Sequence, residues 1–168
     1  MKKVVTLIIF VAVLVILIFS WPNIREKFFP EKEAEHMINE YYNSLINEDY
    51  EDAFKVLYLY DYKKNSNEFL STGTTLPKEQ AKDFFMEKIA YLKEQNYIIK
   101  DYKIKNVEYS DAHTFWHHIL LKVEVNGKMK EFNEVAEIWK GKLLIGERED
   151  PYARFRDGKM KIKIPEHS

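Results

Sequence analysis

The stretch HTFWHHILLKVEVNGKMKEFNEVAEIW, residues 113–139, decides the fold of this chain. In its first half, apolar side chains occupy almost every second position up to Val125, which predicts a strand with one buried face. The pair Asn126-Gly127 follows, and it favours a type I′ turn because both central residues of that turn need positive φ. The alternation resumes at Lys128 and runs to about Trp139. We therefore predict a long antiparallel hairpin.

Further strands are predicted on both sides of this hairpin. Residues 97–109 alternate with one slip near Lys100-Asp101, which indicates a β-bulge. Lys140-Gly141 turns the chain into another strand over residues 142–148. A last alternating segment, residues 159–164, lies in a C-terminal extension that spans residues 152–168. The predicted sheet therefore has four to five antiparallel strands.

Three helices are predicted before the sheet. Apolar residues recur with a helical period from residue 31 to residue 47, and Asp49 is a suitable N-cap for a second helix. Pro77 suits the first position of a third helix, which ends near Gln95-Asn96. A run of helices followed by a run of strands favours an α+β fold, with the helices packed on one face of a curved sheet.

Residues 4–21 form an uncharged and almost wholly apolar stretch. As a helix, such a stretch spans about 27 Å, close to the thickness of a bilayer core. A cleaved signal peptide is the alternative, but a cut after Ser20 would place Ile18 where a small side chain is needed. Trp21 suits the lipid headgroup layer. We predict an uncleaved transmembrane anchor that binds the lipid bilayer.

The anchor divides the chain into four parts. Residues 1–3 form a short cytoplasmic tail, residues 22–30 a linker, and residues 31–168 a soluble domain. Lys2 and Lys3 favour a cytoplasmic N-terminus, and a long C-terminal domain is translocated largely regardless of its charge. The expected location is the cell membrane, with one span and an extracytoplasmic domain. The absence of cysteine fits a bacterial surface better than a small eukaryotic secreted domain.

The charge balance excludes one class of partner. The chain has 26 basic and 27 acidic side chains, and removing Lys2 and Lys3 makes the remainder more acidic. Nucleic-acid-binding domains are clearly basic, so we expect no nucleic-acid partner. His113 and His117 would lie about 13 Å apart on a strand, too far to share one metal ion. We expect no metal and no other cofactor.

The segment Asn47-Glu48-Asp49-Tyr50-Glu51-Asp52-Ala53-Phe54 carries a family resemblance. Together with the third helix led by Pro77 and the long hairpins, it resembles the NTF2-like superfamily, whose members have a cone-shaped α+β fold. The resemblance covers roughly residues 31–148 and implies a membrane-anchored extracytoplasmic bacterial member. The superfamily includes isomerases, dehydratases and transport factors. No catalytic motif of its enzymes is matched here, so we do not expect an enzymatic function.

Three residues are candidates for a pocket inside the cone. Tyr41 belongs to a tyrosine-rich helix that either fills the core or lines a groove. His117 shares the core-facing side of its strand with Phe115 and Ile119, where it is either a structural histidine or a general base. Glu134 and Asp101 are the carboxylates expected nearest the sheet interior, and Glu134 is either solvated or a buried acid.

Two residues are candidates for an interface. Trp116 and Leu120 have the opposite parity to the core positions of their strand, so they are expected on the outer face of the sheet. The expected function is protein binding or self-association, with another envelope protein or a second copy as the partner. A cavity that binds or converts a small apolar molecule is one alternative. A structural subunit of an envelope assembly is another.

Overall fold

The computed structural model describes residues 10–11, 30–59, 76–109, 114–150 and 152. The chain divides into two units, residues 1–33 and residues 34–168. Most of the predicted anchor and linker and of the C-terminal extension, with its fifth strand, lies outside the described residues. Within the described residues, no helix is long and apolar enough to cross a membrane.

Three helices precede the sheet in the described part of the chain. They are α1 (Pro30–Ile46), α2 (Tyr50–Val56) and α3 (Lys78–Glu94). Asp49 occupies the N-cap position of α2, but its side chain makes no capping hydrogen bond. Its backbone carbonyl instead accepts the N–H groups of Asp52 and Ala53, at 3.0 and 3.1 Å. Pro77 is the N-cap of α3 rather than its first helical residue.

Four antiparallel strands follow, and each pairs with the next along the chain. They are β1 (Tyr97–Tyr109), β2 (Phe115–Val125), β3 (Lys128–Trp139) and β4 (Lys142–Arg148). The predicted bulge in β1 is confirmed between Ile99 and Asp101, and a second one lies between Ile104 and Asn106. The predicted α+β fold with an antiparallel sheet is therefore confirmed.

Both predicted hairpin turns are present. Asn126 and Gly127 have φ values of 50° and 74°, and Lys140 and Gly141 have values of 50° and 70°. Positive φ at both central residues is the type I′ geometry, whose twist matches that of the flanking strands. This geometry explains why β2, β3 and β4 can be long and still pair closely around two-residue turns.

The helices cover one face of the sheet, which we call the inner face. Alternate β2 residues from His117 to Val125 are buried there, as are Ala136 of β3 and Ile145 of β4. They share one core with side chains of all three helices, including Tyr41, Phe54 and Phe85. The other face of the sheet, which we call the outer face, carries the remaining alternate residues.

Residues 57 and 58, which directly follow α2, cover part of one sheet edge. Leu57 forms a parallel bridge with Leu143 of β4, and the Tyr58 N–H donates to the Leu143 carbonyl at 2.8 Å. The ammonium of Lys142 donates to the carbonyl of Lys55 at 2.6 Å. These contacts bring Tyr58 onto the outer face beside Leu144, and the two pack together.

Candidate functional site

All three predicted pocket residues are buried in the core between helix and sheet. Tyr41 and His117 have no exposed surface, and Glu134 is 1% exposed. Tyr41 lies edge-on to Tyr42 with ring centroids 5.0 Å apart, and Tyr42 stacks on Tyr102 of β1 at 5.1 Å. We call these five residues the inner cluster. The structure thus brings the predicted pocket residues together and adds two tyrosines to them.

Glu134 is the chemically distinctive member of the inner cluster. The Tyr42 hydroxyl, on α1, donates to Oε2 of Glu134 on β3 at 2.5 Å. Burying a carboxylate is costly unless hydrogen bonds satisfy it, and this donor compensates part of that cost. The solvated alternative for Glu134 is therefore wrong, because its position on β3 faces the helices. A tyrosine and a carboxylate in contact can pass a proton between them or to a bound molecule.

His117 and Glu134 are neighbours on the inner face. His117 is in register with Ala136, two residues from Glu134 on the adjacent strand. Diagonal neighbours of this kind have Cα atoms roughly 7 to 8 Å apart. Both side chains therefore lie in the same buried region of the inner face. Within the described ranges, no group of three His, Asp or Glu side chains is arranged to hold a metal ion.

The expectation that Asp101 approaches the sheet interior is wrong. Asp101 is exposed, lies opposite Lys122 and forms an ion pair with its ammonium at 3.4 Å. The bulge next to it shifts the alternation of β1 by one residue. Because a shift of one residue exchanges the two faces of a strand, Asp101 is directed to the outer face.

A shallow cleft lies where the ends of α1 and α3 meet the start of β1. Its volume is about 60 Å³, and apolar residues such as Leu45, Ile89 and Ile99 line it. At its rim, the ammonium of Lys93 pairs with Glu48 at 2.7 Å and lies 4.8 Å from the ring centroid of Tyr50. Pockets for small molecules usually measure about 300 to 1,000 Å³. This cleft is too small for such a ligand.

The two predicted interface residues both lie on the outer face. Trp116 is 38% exposed, and Leu120 is half-buried between Lys103 of β1 and Asn133 of β3. The two are four residues apart on one strand, roughly 13 Å along it. The face that carries them is opposite the one that the helices cover.

A group of residues that was not predicted from the sequence lies beside Trp116 on the outer face. Glu137 of β3 accepts a hydrogen bond from the Trp116 side chain and lies in register with Leu144 of β4. Trp139 follows on the same face and packs with Leu144 and Tyr58. We call Tyr58, Trp116, Glu137, Trp139 and Leu144 the outer aromatic patch. Parity could have revealed it, because the positions that put Glu134 inside put residues 137 and 139 outside.

Glu137 differs electrostatically from an ordinary surface carboxylate. Burial raises the pKa of Glu137 above its usual range, and the hydrogen bond from Trp116 partly opposes this shift. The protonated form is therefore favoured relative to a solvated glutamate. On the other side of Trp116, Glu108 of β1 lies directly opposite and pairs with His118 at 3.0 Å.

Comparison with known proteins adds no relative to this description. No protein-family model matches the sequence, and no curated protein matches it. The resemblance to the NTF2-like superfamily therefore rests on the hinge segment and on the order of helices and strands, and it stays a prediction.

Proposed function

We propose that this chain is a membrane-anchored, extracytoplasmic protein-binding domain whose partner contacts the outer face of the sheet. The apolar stretch over residues 4–21 supports the anchor, and the polar composition of the remainder supports a water-exposed domain. The order of elements supports an NTF2-like domain. The binding role is supported by the side chains on the outer face of the sheet.

The observation that carries the proposal is the exposed tryptophan at the outer aromatic patch. Trp116 lies on the face that the helices do not cover, and 38% of its surface is exposed to solvent. Tryptophan is enriched among the residues that dominate protein interfaces, and it is most effective where neighbours exclude water. Val135 and Trp139 lie diagonally across from Trp116 on the same face, and Leu144 follows on the next strand. Leu120 extends the apolar surface along β2.

The inner cluster supports a second candidate function, a cavity that binds or converts a small molecule. The specific observation is the contact between Tyr42 and Glu134 at 2.5 Å, with His117 on the same face. Together these residues could exchange a proton with a bound molecule. Against this candidate, the Tyr42 hydroxyl already engages Glu134, and Tyr41 and Tyr102 pack around Tyr42.

Site-specific photo-crosslinking in intact cells tests the first proposal. A photoreactive amino acid at Leu120 of the full chain should give a discrete crosslinked product. The same amino acid at Glu87, exposed on α3, should give none and serves as the matched control. Trp116→Arg should remove the product formed from Leu120, because a charge would be buried at the contact.

The size of the product distinguishes the two kinds of partner. Twice the mass of the chain indicates self-association, and any other mass indicates a different protein. No product at Leu120, or the same product from Glu87, would contradict binding through the outer face.

A further inference from the structure

We propose that the outer aromatic patch is a recognition site for one cationic side chain, a lysine or an arginine, of a partner protein. This inference rests on the proposed function and names the chemistry of the partner at that site. It follows from three features: a half-buried carboxylate, the absence of a paired cation among the described residues, and aromatic rings on two sides.

The carboxylate of Glu137 is held at the centre of the patch. Trp116 donates to it from β2, Leu144 lies opposite on β4, and Trp139 lies two residues along β3. Its neighbours therefore offer one indole N–H and apolar surface. Withdrawing a carboxylate from water is unfavourable unless an opposite charge or several donors compensate. A single neutral donor leaves much of that cost uncompensated.

Three lysines of the outer face are engaged elsewhere. Lys142, opposite Trp139, donates its ammonium to the Lys55 carbonyl at 2.6 Å. Lys100 and Lys122 pair with Glu124 and Asp101, at 3.0 and 3.4 Å. Among the described residues, no lysine, arginine or histidine forms an ion pair with Glu137. The described part of the chain therefore leaves this carboxylate without a paired cation.

The aromatic rings make the patch selective for a cation. The faces of tryptophan and tyrosine rings attract ammonium and guanidinium groups at distances up to about 6 Å. Trp139 is held by packing against Tyr58 and Leu144, so it provides a fixed wall. Trp116 is oriented by its hydrogen bond to Glu137 and stays half-open to solvent. An anion would be repelled here, and a neutral group would bury the carboxylate further.

The composition of the patch favours a protein side chain over a metal ion. Calcium takes six to eight oxygen ligands, and the patch offers one carboxylate among carbon surfaces. A lysine or arginine has a long apolar stem that can cover Trp116 while its charged end reaches Glu137. The patch therefore offers an apolar surface to the stem of such a side chain and an opposite charge to its end.

Indole NMR signals of the full chain in detergent test the inference. The chain has three tryptophans, at positions 21, 116 and 139, and ¹⁵N labelling gives one side-chain signal for each. N-acetyl-lysine methylamide and N-acetyl-arginine methylamide are titrated at constant ionic strength. We expect saturable shifts of the signals from Trp116 and Trp139 and no shift of the signal from Trp21. N-acetyl-norleucine methylamide, which lacks the charge, should shift none of them.

Two variants sharpen the test. Glu137→Gln should weaken the apparent affinity for the lysine probe roughly tenfold or more, because a hydrogen bond between charged groups is lost. Glu131→Gln removes an exposed carboxylate from the same face of β3 and should leave the affinity unchanged. Equal shifts with the norleucine probe, no shifts at all, or an unchanged affinity in Glu137→Gln would overturn the inference.

The same samples separate this inference from the proposed function. If crosslinking at Leu120 succeeds and the titration fails, the outer face binds a protein by other contacts and only the cation site is wrong. If crosslinking fails, the proposed function is wrong.

Discussion

Two glutamates of β3, three residues apart, occupy opposite faces of the sheet and opposite chemical settings. Glu134 faces the helices, is 1% exposed and accepts a tyrosine hydroxyl at 2.5 Å. Glu137 faces outward, is half-buried and accepts an indole N–H. Because the side-chain period of a strand is two, a spacing of three residues places the two carboxylates on opposite faces of the sheet. A single strand thus contributes one acid to the core and another to the surface.

The raised pKa of Glu137 leads to a prediction about pH. The folded chain holds this proton to higher pH than the unfolded chain, so the stability it contributes is present in acid and is lost as pH rises through the folded pKa. Glu137→Gln is neutral at every pH. We therefore expect the free energy of unfolding of this variant, relative to the unmodified chain, to increase between about pH 4 and pH 7.

Urea unfolding of both proteins across that range, followed by circular dichroism, measures the difference. Glu131→Gln should show no such trend with pH and is the control. A constant difference between Glu137→Gln and the unmodified chain would show that Glu137 is solvated like an ordinary glutamate.

The inner cluster predicts an unequal effect of two conservative substitutions. Tyr42→Phe removes one oxygen but takes away the donor to Glu134, and we expect it to destabilise the fold by about 1 to 3 kcal/mol. Trp139→Phe removes more atoms, but the buried indole N–H has no acceptor among the described residues. Its cost should be smaller. Urea unfolding monitored by circular dichroism gives both values, and the reverse order would argue against a strong contact between Tyr42 and Glu134.

At the scale of single elements, the elements that local sequence specifies were predicted well. The strands β3 and β4 have the predicted bounds, since turn pairs such as Asn126-Gly127 mark their ends. The bridge from Leu57 to Leu143 was not predicted, because it joins segments far apart in the chain. The buried hydrogen bond from Tyr97 to Asp150 was missed for the same reason, and it ties the start of β1 to the chain after β4.

The hairpin turn allows a matched pair of glycine substitutions. Gly127 has φ of 74°, and a Cβ built there meets no atom within 4 Å, so any cost arises from the backbone alone. Gly127→Ala should destabilise the fold by roughly 1 to 2 kcal/mol. Gly146→Ala, in β4, places its Cβ 3.8 Å from the Val135 carbonyl oxygen, an ordinary contact, and should change stability much less. Equal effects in urea unfolding would contradict a conformational origin.

At the scale of the whole molecule, the fold class followed from the sequence, whereas the site followed only in part. The order of helices and strands and the parity of β2 placed Trp116 and Leu120 correctly on the outer face. The neighbours of Trp116 depend on the register between β2, β3 and β4. Alternation within one strand does not determine that register, but the two-residue turns Asn126-Gly127 and Lys140-Gly141 do. Glu137 could therefore have been placed opposite Trp116 and Leu144 from the sequence. The packing of Tyr58 beside Leu144 could not, because the bridge from Leu57 to Leu143 joins segments far apart in the chain.

The predicted topology can be tested on the entire chain, which contains no cysteine. A cysteine introduced as Ser168→Cys should react with a membrane-impermeant thiol reagent in intact cells. A cysteine introduced as Lys3→Cys should react only after the cells are lysed. The reverse pattern would invert the orientation. Release of the domain into the medium, with a chain that begins after Ser20, would show that the stretch over residues 4–21 is a cleaved signal.

The contact between Leu57 and Leu143 bears on how copies of this chain behave when they are crowded on one surface. Exposed strand borders invite β-augmentation and growth into fibrils. Here the backbone at Leu143 is already occupied on the β4 side, and the β1 side is interrupted by two bulges. Neither border of the described sheet therefore offers a long regular ladder. Encounters between copies are consequently directed to side chains on the faces, and ordered polymerisation is disfavoured.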